Sequence, residues 1–279
     1  LPLLTQFRVA GFARVQLGAW QARLLTELYD QTTEFSQRDP ERQALHQSPK
    51  LNNGYRPLGA AHAGDPNAVD LNDSFLFWGV RSAYSIPEFG LIRPLLTALE
   101  DYRRDVCVVL MSRLVAELCE YYGEGVESVA ALPFEATSVL QFNSFHTPTE
   151  RELLQTRHED GVVATVIWTS APGLEIFHND VITSLTPASD EVFIMPGSIL
   201  TAMTGEEIPP LFHQARNLRV SSPEEYDPER KSIMYFSNFD PRGRMIEPFV
   251  RNESNRDTDI GAMILESPDM FGLPDHFYE

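Results

Sequence analysis

The sequence predicts an α+β fold with a mainly β core, and three observations carry that reading. Beyond Pro133 the chain breaks into short apolar runs separated by turn signals such as Ala171-Pro172-Gly173, Pro196-Gly197 and Thr204-Gly205, the punctuation of a β sandwich or closed barrel. Ahead of Pro133, apolar residues recur at helical spacing in two long stretches. The composition is that of an ordinary globular chain, 279 residues of which 43% are hydrophobic and 22% charged. One domain over 1–279 is expected: a helical part at 1–132, the β core at 133–242 and a C-terminal wrap at 243–279.

In chain order, residues 5–18 alternate apolar and polar side chains around Gly11 and read as an early strand. From Trp20 to Ser36, Leu24, Leu25, Leu28, Tyr29 and Phe35 keep helical spacing. Residues 39–73 are rich in Pro, Gly, Asn and Ala and read as one long irregular segment, a length that usually serves a function in compact domains. Here Asn53-Gly54-Tyr55-Arg56 and Phe75-Leu76-Phe77-Trp78 supply groups suited to a pocket wall. Pro94 suits a first helical turn, and Leu95, Leu99, Tyr102, Val106, Val109, Leu114 and Leu118 continue one stripe to a stop at Gly123. That long helix is expected to buttress a sheet. Candidate strands follow at 137–145, 162–170, 174–177, 192–195, 199–203, 211–220 and 232–239. Beyond Gly243 periodicity fades, and a loop with a short helix is expected.

The 22 basic and 40 acidic residues leave a formal net charge of −18. Such a surface repels phosphate backbones and anionic lipid, so neither nucleic acid nor membrane is an expected partner, and nothing calls for an obligatory protein partner. No apolar run approaches the roughly 18 residues of a membrane span. Cys107 and Cys119 fall in the long helix, at about 1.5 Å of rise per residue roughly 18 Å apart, beyond the ~7 Å Cα limit of a disulfide. Free thiols, with no basic, cleavable leader in the opening residues, suit a cytoplasmic protein.

The chemistry concentrates at Arg157-His158-Glu159-Asp160-Gly161. If His158 and Asp160 sit at the entrance to the strand-like run 162–168, residues two apart face one cavity together. Joined by a histidine from a distant strand, they make the two-His-one-carboxylate triad that holds non-haem Fe(II) with positions left open. His213, 55 residues on, is the candidate; Glu159 would turn away into solvent. A second His-x-Asp, His178-Asn179-Asp180, lies between Phe177 and Val181 and reads as an exposed hairpin turn. His213 alone would equally suit a hydrogen-bonded core histidine. His62, His146 and His276 stand in loop-like surroundings with no second ligand at strand spacing.

The order of the parts adds to this. After His158 and Asp160 come Gly173-Leu174-Glu175-Ile176, Pro196-Gly197-Ser198-Ile199-Leu200, His213 and Arg230-Lys231-Ser232; Phe142-Asn143-Ser144-Phe145 stands upstream, with Gly54-Tyr55 and the 70–75 region earlier still. The series resembles the isopenicillin-N-synthase-like branch of the Fe(II)/2-oxoglutarate-dependent dioxygenases over most of the chain. The resemblance implies a double-stranded β-helix core, the cupin-like jelly roll. It implies iron on His158, Asp160 and His213, and 2-oxoglutarate on Arg230 and Ser232, with Asn143 on a core strand beside them. The chemistry agrees, since a guanidinium fork matches a carboxylate. A surface ion pair with Asp227 or Glu229 is the plainer role for Arg230, and Arg216 or Arg219 could take its place. The chain departs from the family pattern in three ways. Phe145 replaces a tyrosine, Ser198 replaces an aspartate, and the 17 residues from His213 to Arg230 exceed the usual spacing, with 221–225 reading as an inserted loop.

The resemblance implies oxidative decarboxylation of 2-oxoglutarate with O2, giving succinate, CO2 and an Fe(IV)-oxo species that abstracts hydrogen from an unactivated C–H of a small molecule. By family analogy that substrate belongs to specialised metabolism; hydroxylation is the default outcome, and desaturation or cyclisation shares the intermediate. No catalytic side chain beyond the ligands is expected. Arg56 would pair with a substrate carboxylate while Tyr55, Phe75, Phe77 and Trp168 form apolar walls, a surface cation and core packing being the plainer readings. Two rivals stand beside this. One is an iron oxidase of the same fold that takes all electrons from its substrate; the other is a metal-binding jelly-roll protein without oxygen chemistry.

Overall fold

The computed structural model describes residues 1–62, 68–123, 137–145, 150–241, 246–253, 255 and 257–266. Pro133, His146, Gly243 and His276 lie outside them. The elements in order are α1 (Leu3–Ala10), β1 (Ala13–Gln16), α2 (Ala19–Ser36), α3 (Pro40–Ala44), β2 (Gly54–Arg56), β3 (Asp73–Phe77), α4 (Val80–Ala83), α5 (Arg93–Tyr102) and α6 (Val108–Tyr122). Then come β4 (Val139–Ser144), β5 (Leu153–His158), β6 (Ala164–Thr169), β7 (Leu174–His178), β8 (Val181–Leu185), β9 (Glu191–Pro196), α7 (Ser198–Met203), β10 (Phe212–Arg216), α8 (Leu218–Ser221), β11 (Lys231–Ser237) and α9 (Ile260–Glu266).

Two antiparallel sheets face one another, seven strands in the order β1-β9-β6-β11-β4-β3-β2 and four in the order β5-β10-β7-β8. This is the jelly-roll arrangement, open rather than closed into a barrel. Paired residues on adjacent strands share a face, and that parity builds both sides of the large sheet. The row Tyr55–Phe75–Phe142–Ile233–Trp168 crosses β2, β3, β4, β11 and β6. It packs with Leu24, Leu28, Phe35, Leu95 and Leu99 of the helices in the main core. Phe75 and Phe142 stack at 5.6 Å between ring centroids, with Phe35 edge-on to both; burying each such ring contributes about 2–3 kcal/mol.

The next row, Arg56–Ser74–Asn143–Ser232–Thr169, falls on the opposite face. There the inter-sheet space is filled at one end by Leu76, Ile167, Phe193, Ile176 and Leu185. At the other end it opens into a polar cavity.

Several sequence expectations give way. Residues 5–18 are not one strand: α1 ends at Gly11, whose N–H donates to Phe7 O, and a strand of four residues follows. The 39–73 segment is not wholly irregular, since α3, β2 and the start of β3 lie in it. The run 199–203, expected as a strand, is helical: Ile199, Leu200 and Met203 bury one helical face. The 211–220 run stops as a strand at Arg216 and turns into α8. The long helix is present, but a π turn at Arg103–Cys107 joins α5 to α6. Its wider hydrogen bonding advances the apolar stripe by one residue. Leu110 and Met111 take the inward places, and Val109, expected in the stripe, is 50% exposed. The helix stops at Gly123 as expected. Both cysteines are free thiols. Among the described residues no helix is long and apolar enough to cross a membrane.

Candidate metal centre and cosubstrate pocket

The pairing of β5 with β10 sets His158 directly opposite His213. Their rings lie 4.3 Å apart between centroids. The chain then leaves β5, and Asp160 stands in the loop to β6, not at the entrance to a strand running from Val162. Its Oδ1 lies 3.9 Å from His158 Nε2 and 3.7 Å from His213 Nε2. One ligand atom from each of the three lies within 4.8 Å of the other two, so an inward shift of each side chain by about 1 Å would bring all three to bonds of about 2 Å on one ion.

Each side chain is fixed in a ligating pose by its own neighbours. His158 Nδ1 is 2.7 Å from Thr156 O and His213 Nδ1 is 3.1 Å from Leu211 O. With Nδ1–H donating to a carbonyl, the Nε2 lone pair is left for a metal. Burial, reinforced by the nearby His158, lowers the pKa of His213 to about 4, so its imidazole is neutral at neutral pH. Thr165 of β6 donates its hydroxyl to Asp160 Oδ2 at 2.5 Å, which leaves Oδ1 facing the histidines. Ser198 N donates to Asp160 O. Gly197 lets these backbones meet, because a Cβ there would stand 2.2 Å from Val162 O and 2.5 Å from Asp160 O.

Glu159, expected in solvent, is half-buried instead. Burial and the charge of Asp160 raise its pKa, with Ser198 opposing. His178 ends β7 beside Asn179 and Asp180, both at positive φ, in the exposed turn read from the sequence. The described residues hold no other histidine–carboxylate grouping able to share an ion.

Across the cavity lie Arg230, Ser232 and Asn143. All three line it and all are buried. The Arg230 guanidinium lies over the Phe145 ring at 4.6 Å, and Nη1 donates to Arg216 O at 3.3 Å. Gly173, at φ +118°, makes room, since a Cβ there would come 2.7 Å from Nη1. Arg230 Nε and Asn143 Nδ2 are buried without a hydrogen-bond partner among the described residues. Among the described residues Ser232 Oγ donates only to the Met234 thioether, at 3.7 Å. Gln141, two residues before Asn143 on β4, donates to Asn143 Oδ1 at 2.7 Å and so turns the Asn143 amide N–H outward. Burial pulls the pKa of Arg230 down to about 10. A dianionic carboxylate ligand would satisfy these donors, and the residues present fit both the iron and the cosubstrate. Arg230 is thus no surface ion-pair residue. Arg216 pairs with Glu175 at 2.6 Å and Arg219 lies on α8, neither of them lining the cavity.

Seven-tenths or more of the length of several solved proteins superposes on this chain. A full-length Neurospora crassa protein, solved in complex with alpha-KG, matches with a TM-score of 0.73 and 18% identity, over 96% of this chain and 89% of that one. DAO1 of Arabidopsis thaliana, a dioxygenase for auxin oxidation, in its 2-oxoglutarate complex, matches at 0.66 and 19%, over 90% and 94%. JOX2 in complex with 2OG, Fe and JA matches at 0.69 and 17%, over 91% and 75%. The chain has the fold of the 2-oxoglutarate–Fe(II) oxygenases. No family model matches the sequence, and no curated protein matches it.

Measured against that oxygenase fold, the substrate-side expectations divide. Arg56 lines the cavity. Tyr55, Phe75, Phe77 and Trp168 do not: strand alternation turns them to the helices, where Tyr55 donates to Asp73 and Trp168 meets Tyr29 edge-on. Sequence reasoning missed Thr165, Gln141, Asp70, Asn72 and Gln155, all of which line the cavity. For Thr165 and Gln141 a signal existed, because each lies an even number of residues along its strand from a cavity-facing neighbour, Thr169 or Asn143. Asn72 and Asp70 lay in the segment read as irregular, where no parity was legible.

Proposed function

We propose that the protein is a non-haem Fe(II)- and 2-oxoglutarate-dependent oxygenase. It oxidises a C–H bond of a small molecule by hydroxylation or, through the same chemistry, desaturation or cyclisation, with specialised metabolism as the setting. The observation that carries this reading is the pairing of His158, Asp160 and His213 on one wall of a cavity with buried donors on the other that have no partner among the described residues. The Neurospora crassa protein, JOX2 and DAO1, each solved with alpha-KG or 2-oxoglutarate, support the choice of cosubstrate.

In this reading His158, Asp160 and His213 would hold the iron, as a two-His-one-carboxylate set does. The bound iron with 2-oxoglutarate and O2 supplies the oxidising power, which no side chain here offers. The chain's own share is positional. Arg230 and Ser232 receive the distal carboxylate of the cosubstrate, and Asn143, oriented by Gln141, donates along its length. Phe145 cannot donate as a tyrosine would; its ring instead covers the Arg230 guanidinium and keeps water from it. The apolar floor at Ile167 and Leu174 excludes solvent from the reacting bond.

Two measurements test this. Anaerobic addition of Fe(II) and 2-oxoglutarate is expected to give a visible charge-transfer band, and turnover to release succinate in step with product. A colourless mixture with bound iron favours the metal-binding protein without oxygen chemistry. Turnover without succinate favours an oxidase, with Arg230 and Ser232 gripping substrate instead.

A further inference from the structure

The row of cavity-facing residues on the large sheet holds one cation that the cosubstrate does not use. Arg56 ends β2 opposite Ser74, and Ser74 is opposite Asn143. At about 4.8 Å per strand, the Arg56 backbone stands about 10 Å along the row from that of Asn143 and about 14 Å from that of Ser232, three strands from the hydroxyl assigned to the cosubstrate. It is 5% exposed and lines the same cavity. Its Nε donates to Leu51 O at 2.9 Å, which anchors the side chain. Among the described residues, no carboxylate lies within 4 Å of its guanidinium.

Two neighbours refine what this end of the cavity would take. Asp70 is close enough to favour the charged guanidinium, and accepts from Gln155 Nε2 at 3.2 Å. With an acid beside a single cation, a monoanion is better matched than a phosphate dianion. Asn72 lines the cavity, and its buried Oδ1 has no hydrogen-bond partner among the described residues, an acceptor awaiting a donor. Burial lowers the pKa of Arg56 to about 10, which leaves it charged at neutral pH.

We infer that the oxygenase's substrate is a small monocarboxylic acid that also carries an N–H or O–H donor: Arg56 grips the carboxylate, Asn72 accepts from the donor, and the oxidised carbon lies toward the triad. The inference rests on the oxygenase reading of the same cavity, and it names the substrate class that reading leaves open. Forked pairing of a buried guanidinium with a carboxylate supplies both affinity and orientation.

The test is a thermal-shift and calorimetric screen of the full chain, loaded anaerobically with Co(II) and 2-oxoglutarate. The probes are small carboxylic acids graded from acetate size to aryl size, mandelic acid and N-acetylphenylalanine among them, each paired with its own primary amide. Acids are expected to bind and their amides to bind about 10- to 100-fold more weakly. Arg56→Gln is expected to erase that difference. Ser74→Asp, which sets a carboxylate beside the guanidinium and leaves the Leu51 contact in place, is expected to reduce it even if Arg56→Gln fails to fold. Amides that bind as well as acids, a panel in which no acid binds, or an acid preference unchanged in the folded variants overturns the inference. Loss of the oxygenase reading is seen separately, as failure of the wild-type protein to bind 2-oxoglutarate or form succinate, whatever its preference among acids.

Discussion

Thr165 shows how much of a metal centre lies in residues that never touch the ion. Its hydroxyl occupies one oxygen of Asp160, so the carboxylate offers the other in a fixed direction and would bind a metal through that atom. Removing such a partner costs about 10- to 100-fold in metal affinity. Thr165→Val keeps the shape and removes the donor, and is expected to weaken Mn(II) or Co(II) binding by that amount in calorimetry with the circular dichroism spectrum unchanged. His158→Ala is expected to abolish binding and His178→Ala to leave it intact. Equal affinities for Thr165→Val and wild type would show that the loop, not the hydroxyl, orients Asp160. The triad itself was legible because His-x-Asp and a distant histidine are chemically conspicuous; a threonine in an apolar strand is not.

Elements decide which of the legible residues reach the cavity. Arg56 and Tyr55 are adjacent in sequence, yet one faces the cavity and the other Phe35, because strand alternation sends neighbours to opposite faces. That parity could be read only once 54–56 was known to be a strand paired to 74–76. A strand of three residues that opens on a glycine is too short to show such a signal. Likewise β5 was missed because its residues are mostly half-exposed, and with it the fact that His158 ends one strand rather than preceding the next. The turn at 196–198 was legible as a turn, but not as the clamp on Asp160. Gly197→Ala tests the clamp: its Cβ would collide with Val162 O and Asp160 O, backbone atoms that can yield only by moving the loop. The variant is expected to lose both thermal stability and metal affinity. A lower Tm with unchanged metal affinity would mean that the loop rearranges without carrying Asp160 along.

At the scale of the whole molecule, the helices cover one face of the large sheet and leave the other to the small sheet and the cavity, so the strength of the helix layer and the shape of the site meet in shared strands. His46 lies in that helix layer, buried beyond α3, its Nδ1 3.1 Å from Pro87 O and its ring 5.8 Å from Phe35. Burial lowers its pKa, Arg38 adding to the effect against the opposing pulls of the Pro87 carbonyl and Glu88. With a folded-state pKa below the ordinary value of about 6.5, the unfolded chain binds the extra proton first. The stability held by the neutral ring is therefore complete above about pH 6.5 and is lost as pH falls from there through the folded-state pKa. The net charge of −18 acts the other way, since protonating surface carboxylates relieves self-repulsion. Comparing wild type with His46→Gln separates the two, because both proteins share the surface and the glutamine amide can still donate to Pro87. Between pH 7.5 and 5.5 the Tm of the metal-free wild type is expected to fall relative to that of His46→Gln. Parallel profiles would mean that the ring takes up its proton without leaving its place against Phe35, and that acid sensitivity in this layer has another source.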